Sequence, residues 1–151
     1  MITWDETSEK VTKIRPDFEK AKALLKMSEL HEERAKSTPF PRMATLLVEE
    51  YYEIVKEIIT AIMSCDGWKT TSHELLVGYL ARFHTEFSGA EIALIDQLRQ
   101  MRNDIDYRGV MINPEYIDRN QESILNVIAK LKDLTHQKIF TQHKPNQSPP
   151  R

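Results

Sequence analysis

The chain has 151 residues, 40% of them hydrophobic and 29% charged, a balance that suits one globular domain burying roughly 70% of its unfolded surface. Its 21 Lys and Arg stand against 23 Asp and Glu, so the net charge of −2 excludes a global pull on nucleic acid, although a local basic cluster can still bind RNA. Only 4 glycines argue against turn-rich β architecture and a glycine-rich phosphate loop, and the single cysteine, Cys65, excludes an internal disulfide and a cysteine-cluster zinc site.

Met1 to Lys10 is polar and acidic, with neither a basic start nor an apolar stretch. No apolar run approaches the roughly 20 residues of a membrane span, so no membrane association and a cytoplasmic setting are expected. The first helix is predicted from about Pro16 to Arg34, with Phe18, Ala21, Leu24, Leu25, Ser28 and His31 at helical spacing. Pro39 and Pro41 then break the chain. The second helix, about Arg42 to Cys65, is the most apolar. Its broad stripe of Met43, Leu47, Ile54, Ile58 and Ile62, widened by Leu46, Val55 and Ile59, suits the middle of a bundle.

Asp66-Gly67 ends that helix, and Thr71 or Ser72 caps a third, whose face is Leu75, Leu76, Tyr79, Leu80 and Phe83. After the Ser88-Gly89 break, a fourth helix runs from about Ala90 to Tyr107. The fifth runs from about Pro114 to Lys138, with Ile117, Ile124, Val127, Ile128, Leu131 and Leu134 on one face. No alternating strand pattern persists. The fold class predicted is all-α: a five-helix antiparallel up-and-down bundle over 1–140, with a disordered polar tail over 141–151.

Motifs for nucleotide loops, nucleophile elbows and metalloprotease helices are absent. His31, His73, His84, His136 and His143 are scattered without ligand spacing, and no metal or other cofactor is expected. Cys65, beside Ile62 and Met63, reads as a small buried hydrophobe. Asp104, Asp106, Gly109 and Glu115 match positions of a calcium loop, but Arg108 puts a cation where an oxygen ligand is needed, and the calcium reading is rejected.

The segment Leu98 to Gly109 is different. Arg102 shares a helical face with Ile95, Leu98 and Ile105, and a guanidinium on an apolar stripe needs a partner or a solvated pocket. Asn103 and Tyr107, four apart, stack on the adjacent face, so guanidinium, amide and phenol can converge on a phosphate or a nucleobase. Arg99 and Arg108 add local positive charge. Glu49, Glu50 and Glu53 of the second helix can reach the site, and Glu50, beside Leu47 and Ile54, is the expected partner of Arg102. The plainer alternative is a surface Arg102–Asp106 pair of about 0.3–0.5 kcal/mol.

Arg102-Asn103, three residues, then Tyr107 resembles the signature of the HEPN superfamily (higher eukaryotes and prokaryotes nucleotide-binding), in which arginine and a polar residue precede a histidine. The resemblance covers about Ala21 to Leu134 in helix order, including a third helix opening with Ser72-His73-Glu74-Leu75-Leu76, but in specific residues only Leu98 to Gly109. It implies a HEPN-like bundle that dimerises so that two motifs face one cleft. It further implies RNA or nucleotide binding, metal-independent ribonuclease activity in many members, and toxin–antitoxin pairing with a nucleotidyltransferase in others.

By position, Arg102 would hold the phosphate, Asn103 would position it, and Tyr107 would stand in for the histidine. A phenol near pKa 10 is a poor general base, so binding survives this departure better than catalysis. A second reading is a non-catalytic interaction bundle that uses an apolar stripe to hold a protein partner. A carboxylate metalloenzyme would need paired Glu-x-x-His motifs and is discarded.

Overall fold

The helix ends fall where capping chemistry puts them. The computed structural model describes residues 2–143. In chain order it contains β1 (Val11–Lys13), α1 (Phe18–Ser37), α2 (Ala44–Asp66), β2 (Trp68–Thr70), α3 (His73–Phe83), α4 (Gly89–Arg108) and α5 (Pro114–His143). The Asp17 carboxylate accepts from the Lys20 amide to start α1, two residues beyond the Pro16 expected. Ser72 caps α3, and Ser88 with Glu91 forms a reciprocal capping box on α4. Gly67 and Gly109 close α2 and α4 in the left-handed conformation, at φ of 89° and 64°.

Two features depart from the sequence reading. β1 and β2 pair antiparallel, Val11 opposite Thr70 and Lys13 opposite Trp68, with the Lys13 ammonium 4.4 Å from the Trp68 ring centroid. Three-residue strands are too short to show an alternating pattern, and the β-branched and aromatic residues in them are the only trace. Thr141, Gln142 and His143, expected in the tail, belong to α5; residues 144–151 of that predicted tail lie outside the described residues.

The middle helix is α2, which packs against α1, α3, α4, α5 and β2. Leu47, Tyr51, Tyr52, Ile54, Val55, Ile58, Ile59 and Ile62 are all buried. At about 1.5–3 kcal/mol for each large apolar side chain, this helix supplies much of the hydrophobic driving force. Ile95 and Leu98 of α4 and Ile117, Ile124, Val127, Ile128 and Leu131 of α5 complete the core. Among the described residues, no helix is long and apolar enough to cross a membrane.

The segment before β1 straps across α3. Trp4 packs edge-on against Trp68, Tyr79 and Phe83 at ring separations of 5.5, 5.4 and 5.8 Å. The strap lies so close that a Cβ on Gly78 would overlap the Thr3 carbonyl group. Nearby, the Asp66 carboxylate at the end of α2 accepts from Tyr79 Oη, from His84 Nε2 at 3.2 Å and from Lys138 Nζ at 2.7 Å. One carboxylate thereby ties α2 to α3, to the turn after α3 and to α5. Burial pushes the Asp66 carboxyl up, but the bonds from His84, Lys138 and Tyr79 outweigh it and hold the group at about 2.

Gly78→Ala is expected to destabilise the protein by about 1–3 kcal/mol. Tryptophan emission should shift to the red as Trp4 leaves its aromatic cage; an unchanged spectrum and melting temperature would contradict the strap. Asp66 gives a pH signature. Its folded pKa lies below the ordinary carboxylate value, so its contribution is complete above about pH 4 and drains away as the pH falls toward 2. Denaturant melts of wild type should lose that increment over this range, while Asp66→Asn should be less stable at neutral pH and lack it.

Candidate functional site

The polar residues singled out in the sequence lie along the seam where α4 runs beside α2. Arg102 faces Glu53, Asp106 faces Glu49, and the Ile112 amide beyond α4 donates to Thr45 Oγ1 at 2.8 Å, so the two helices run antiparallel. Arg102 is the centre. Its Nη2 lies 3.2 Å from a Glu53 carboxylate oxygen and its Nε 3.0 Å from Asp106, and its side chain is 27% exposed. The guanidinium carbon sits 5.9 Å from the centroid of the Tyr52 ring, which is itself buried. Two anchors and an aromatic floor fix the direction in which this cation points.

The expected i+4 pair with Asp106 is present, but Glu50 is not the acid from α2. Its carboxylate accepts from Arg34 Nη1 at 3.2 Å and lies 2.9 Å from His31 Nδ1, joining α1 to α2. The reason is angular. Glu49 and Glu53 are one helical turn apart, as are Arg102 and Asp106, so two antiparallel helices can bring these pairs together. Glu50 is a single residue on, about 100° round the helix, and faces α1 instead.

Tyr107 does not join Arg102 in a pocket. It is 82% exposed and points into solvent near the end of α4. Asn103 is half-buried, and its amide makes no hydrogen bond among the described residues. Arg99 is held by Asp96 at 2.8 Å, and the second oxygen of Asp96 accepts from Gln100 at 2.7 Å. Arg108 is an exposed surface group paired with Asp104 at 3.3 Å. The rejected calcium loop is also accounted for: Asp104 and Asp106 stand inside α4, each on an arginine.

The network extends to residues that the sequence did not single out. Lys56 pairs with the other Glu53 oxygen at 2.8 Å. His73, the first residue of α3, tilts against Tyr52 with ring centroids 5.8 Å apart. Burial, and after it the positive charges of Lys56 and Arg102, hold the His73 imidazole below its ordinary value. Burial, then the hydrogen bond and charge of Asp106, push the Glu49 carboxyl up. Burial raises Tyr52 as well, so its phenol stays protonated. Glu49 and Glu53 were among the acids of the second helix expected within reach; for His73, no local signal places it beside Arg102.

Three grooves lie elsewhere, among them one of about 340 Å³ lined by Phe18, Cys65, Leu134 and Lys138. Another of about 490 Å³ between α4 and α5 is lined by Leu94, Gln97, Asn120 and Asn126, and one of about 270 Å³ by Ala35, Phe40, Leu47 and Leu125. None of them includes Arg102. The protein is thus a five-helix bundle with a small two-stranded sheet, carrying a half-buried ion network on the open seam of α2 and α4. Comparison with known proteins finds no matching family model, no matching curated protein and no matching solved structure.

The Glu49–Asp106 contact is open to a direct check. By carboxyl NMR titration, Glu49 should titrate above the ordinary glutamate range in wild type and fall toward it in Asp106→Asn. An unmoved Glu49 would mean that burial alone raises it.

Proposed function

We propose that this chain is a HEPN-like module that binds RNA or a nucleotide on the α2–α4 seam, through Arg102 and Asn103, and works as a homodimer. The observation that carries this reading is the holding of Arg102: a half-buried guanidinium, aimed by Glu53, Asp106 and the Tyr52 ring, beside an amide with no bond of its own. Positioned forked donors are what a phosphate needs. A lone surface ion pair needs none of the floor or the second acid.

Three further points bear on what the site does. Within one chain it is an open seam rather than a concave pocket, which suits an extended ligand or a cleft completed by a second copy. The acids are competitors: a phosphate must displace a carboxylate or share the guanidinium, so binding should be weak and sensitive to salt. Tyr107 is exposed, and an exposed phenol ring supports stacking on a base better than proton transfer at Arg102. Binding is therefore favoured over cleavage by Tyr107, and metal-independent ribonuclease activity is the lesser form of the proposal.

The second reading, an interaction bundle for a protein partner such as a nucleotidyltransferase, draws on a different feature. Tyr107 and Met111 are 82% and 77% exposed near the end of α4, apolar surface without cover in the single chain. That surface serves a dimer equally well, and Arg102 separates the two readings.

The test is binding of a fluorescent single-stranded RNA in excess EDTA, with sedimentation of the same samples. Wild type should bind, and Arg102→Ala should weaken it by about tenfold or more, the loss expected for a charged hydrogen-bonded contact. No binding by wild type, or equal binding by the variant, would remove the nucleic-acid reading and leave the interaction bundle.

A further inference from the structure

The histidine that the α4 motif lacks has a counterpart on another helix. Of the five histidines, His31 lies on Glu50, His84 on Asp66 inside the buried clamp, and His136 on an exposed position of α5. His73 is placed differently. It opens α3, directly after the Ser72 cap, and packs on the same Tyr52 ring over which Arg102 lies. Tyr52 is thus shared by an imidazole and a guanidinium that come from two different helices, α3 and α4. Among the described residues, neither ring nitrogen of His73 makes a hydrogen bond.

We propose that His73 completes the Arg102 site, its imidazole N–H donating to an oxygen of the phosphate that Arg102 holds. The inference rests on the nucleotide- or RNA-binding reading above and assigns that site a residue outside its motif. The shared ligand chemistry is a phosphate ester, carried either by a mononucleotide or by an RNA strand.

The electrostatics agree with the geometry. The charged groups facing His73 are Glu53 and Lys56 from α2 and Arg99 and Arg102 from α4, with the Tyr52 phenol as floor. Burial first, and then the excess of cations over the one acid, make the empty site resist protonation of the imidazole. An arriving phosphate reverses that balance. Protonated His73 then gains a charge-assisted hydrogen bond. By linkage, ligand binding takes up a proton at His73, and affinity rises as the pH falls through the midpoint of the complex. The unliganded imidazole is neutral at pH 7 and can donate only through the one nitrogen that carries hydrogen.

The test follows the His73 ring signal by NMR in the full chain, titrated with pH alone, with adenosine monophosphate and with a short single-stranded RNA. Dissociation constants of wild type and His73→Gln are measured beside it from pH 5.5 to 8. The midpoint of His73 should rise by about one unit with ligand, and wild-type affinity should strengthen about tenfold toward pH 5.5. His73→Gln should bind with little pH dependence. A raised midpoint with both ligands assigns the site to a phosphate ester in general; a raised midpoint with RNA alone assigns it to a strand. If RNA binds and Arg102→Ala weakens it, but the His73 midpoint stays put and His73→Gln follows wild type, His73 is outside the site and the binding reading stands. If wild type binds neither ligand, both fall together. The wild-type NMR readout does not depend on the variant folding.

Discussion

A guanidinium that is half out of water has to be neutralised by fixed partners, and much of the α2–α4 seam answers to that need. Leaving Arg102 unpaired would cost several kcal/mol. The antiparallel register of the two helices supplies Glu53 from one and Asp106 from the other. The same register sets Glu49 against Asp106, and burial together with that neighbouring acid pushes the Glu49 carboxyl up. Apolar packing brings the helices together, through Ile95 and Leu98 on α4 and Tyr52, Val55 and Ile59 on α2. The ion network then selects how they slide. A rotation of α2 by one residue, about 100°, would turn Glu50 toward α4 and break its bonds to His31 and Arg34.

The molecule keeps two kinds of polar cluster, and they differ in what they leave free. Around Asp66 every group is used: Tyr79, His84 and Lys138 converge on one carboxylate, and Tyr79 is buried. That arrangement holds elements together. Beside it, Cys65 is buried and free, its thiol pushed up to about 11 by burial and then by the Asp66 charge, which keeps it protonated. Around Arg102 the pattern is the reverse. The Asn103 amide and the His73 imidazole have no hydrogen bonds among the described residues, although strong donors and acceptors surround them. Neither belongs to the buried polar atoms left without a partner, so both stay open to water or to a ligand.

Helices were legible because each signal was local. The stripe of α2, the serine caps of α3 and α4, and the glycines that end α2 and α4 all act within a turn or two of the residue that reveals them. The strands were not, since Val11–Lys13 is a strand only because the turn after Gly67 presents Trp68–Thr70 to it. The site was legible in half. Arg102 stood out as a charge on an apolar face, and its pair with Asp106 follows from spacing within one helix. Its partner on α2 required the register between helices, where Glu50 and Glu53 differ by less than a turn. His73 required the angle at which α3 approaches, which no spacing in the chain encodes. Tyr107, four residues from Asn103, lies 82% exposed near the end of α4, while Ile105 before it and Ile112 after it pack on the core.

The most direct measurement is amide chemical-shift mapping of the full chain titrated with single-stranded RNA. If the α2–α4 seam is the ligand site, shifts should cluster at Arg99 to Tyr107, at Tyr52 to Lys56 and at His73, and leave the Asp66 clamp untouched. Shifts confined to the groove between α4 and α5, or no shifts at saturating RNA, would contradict the account and return the Arg102 network to a purely structural role.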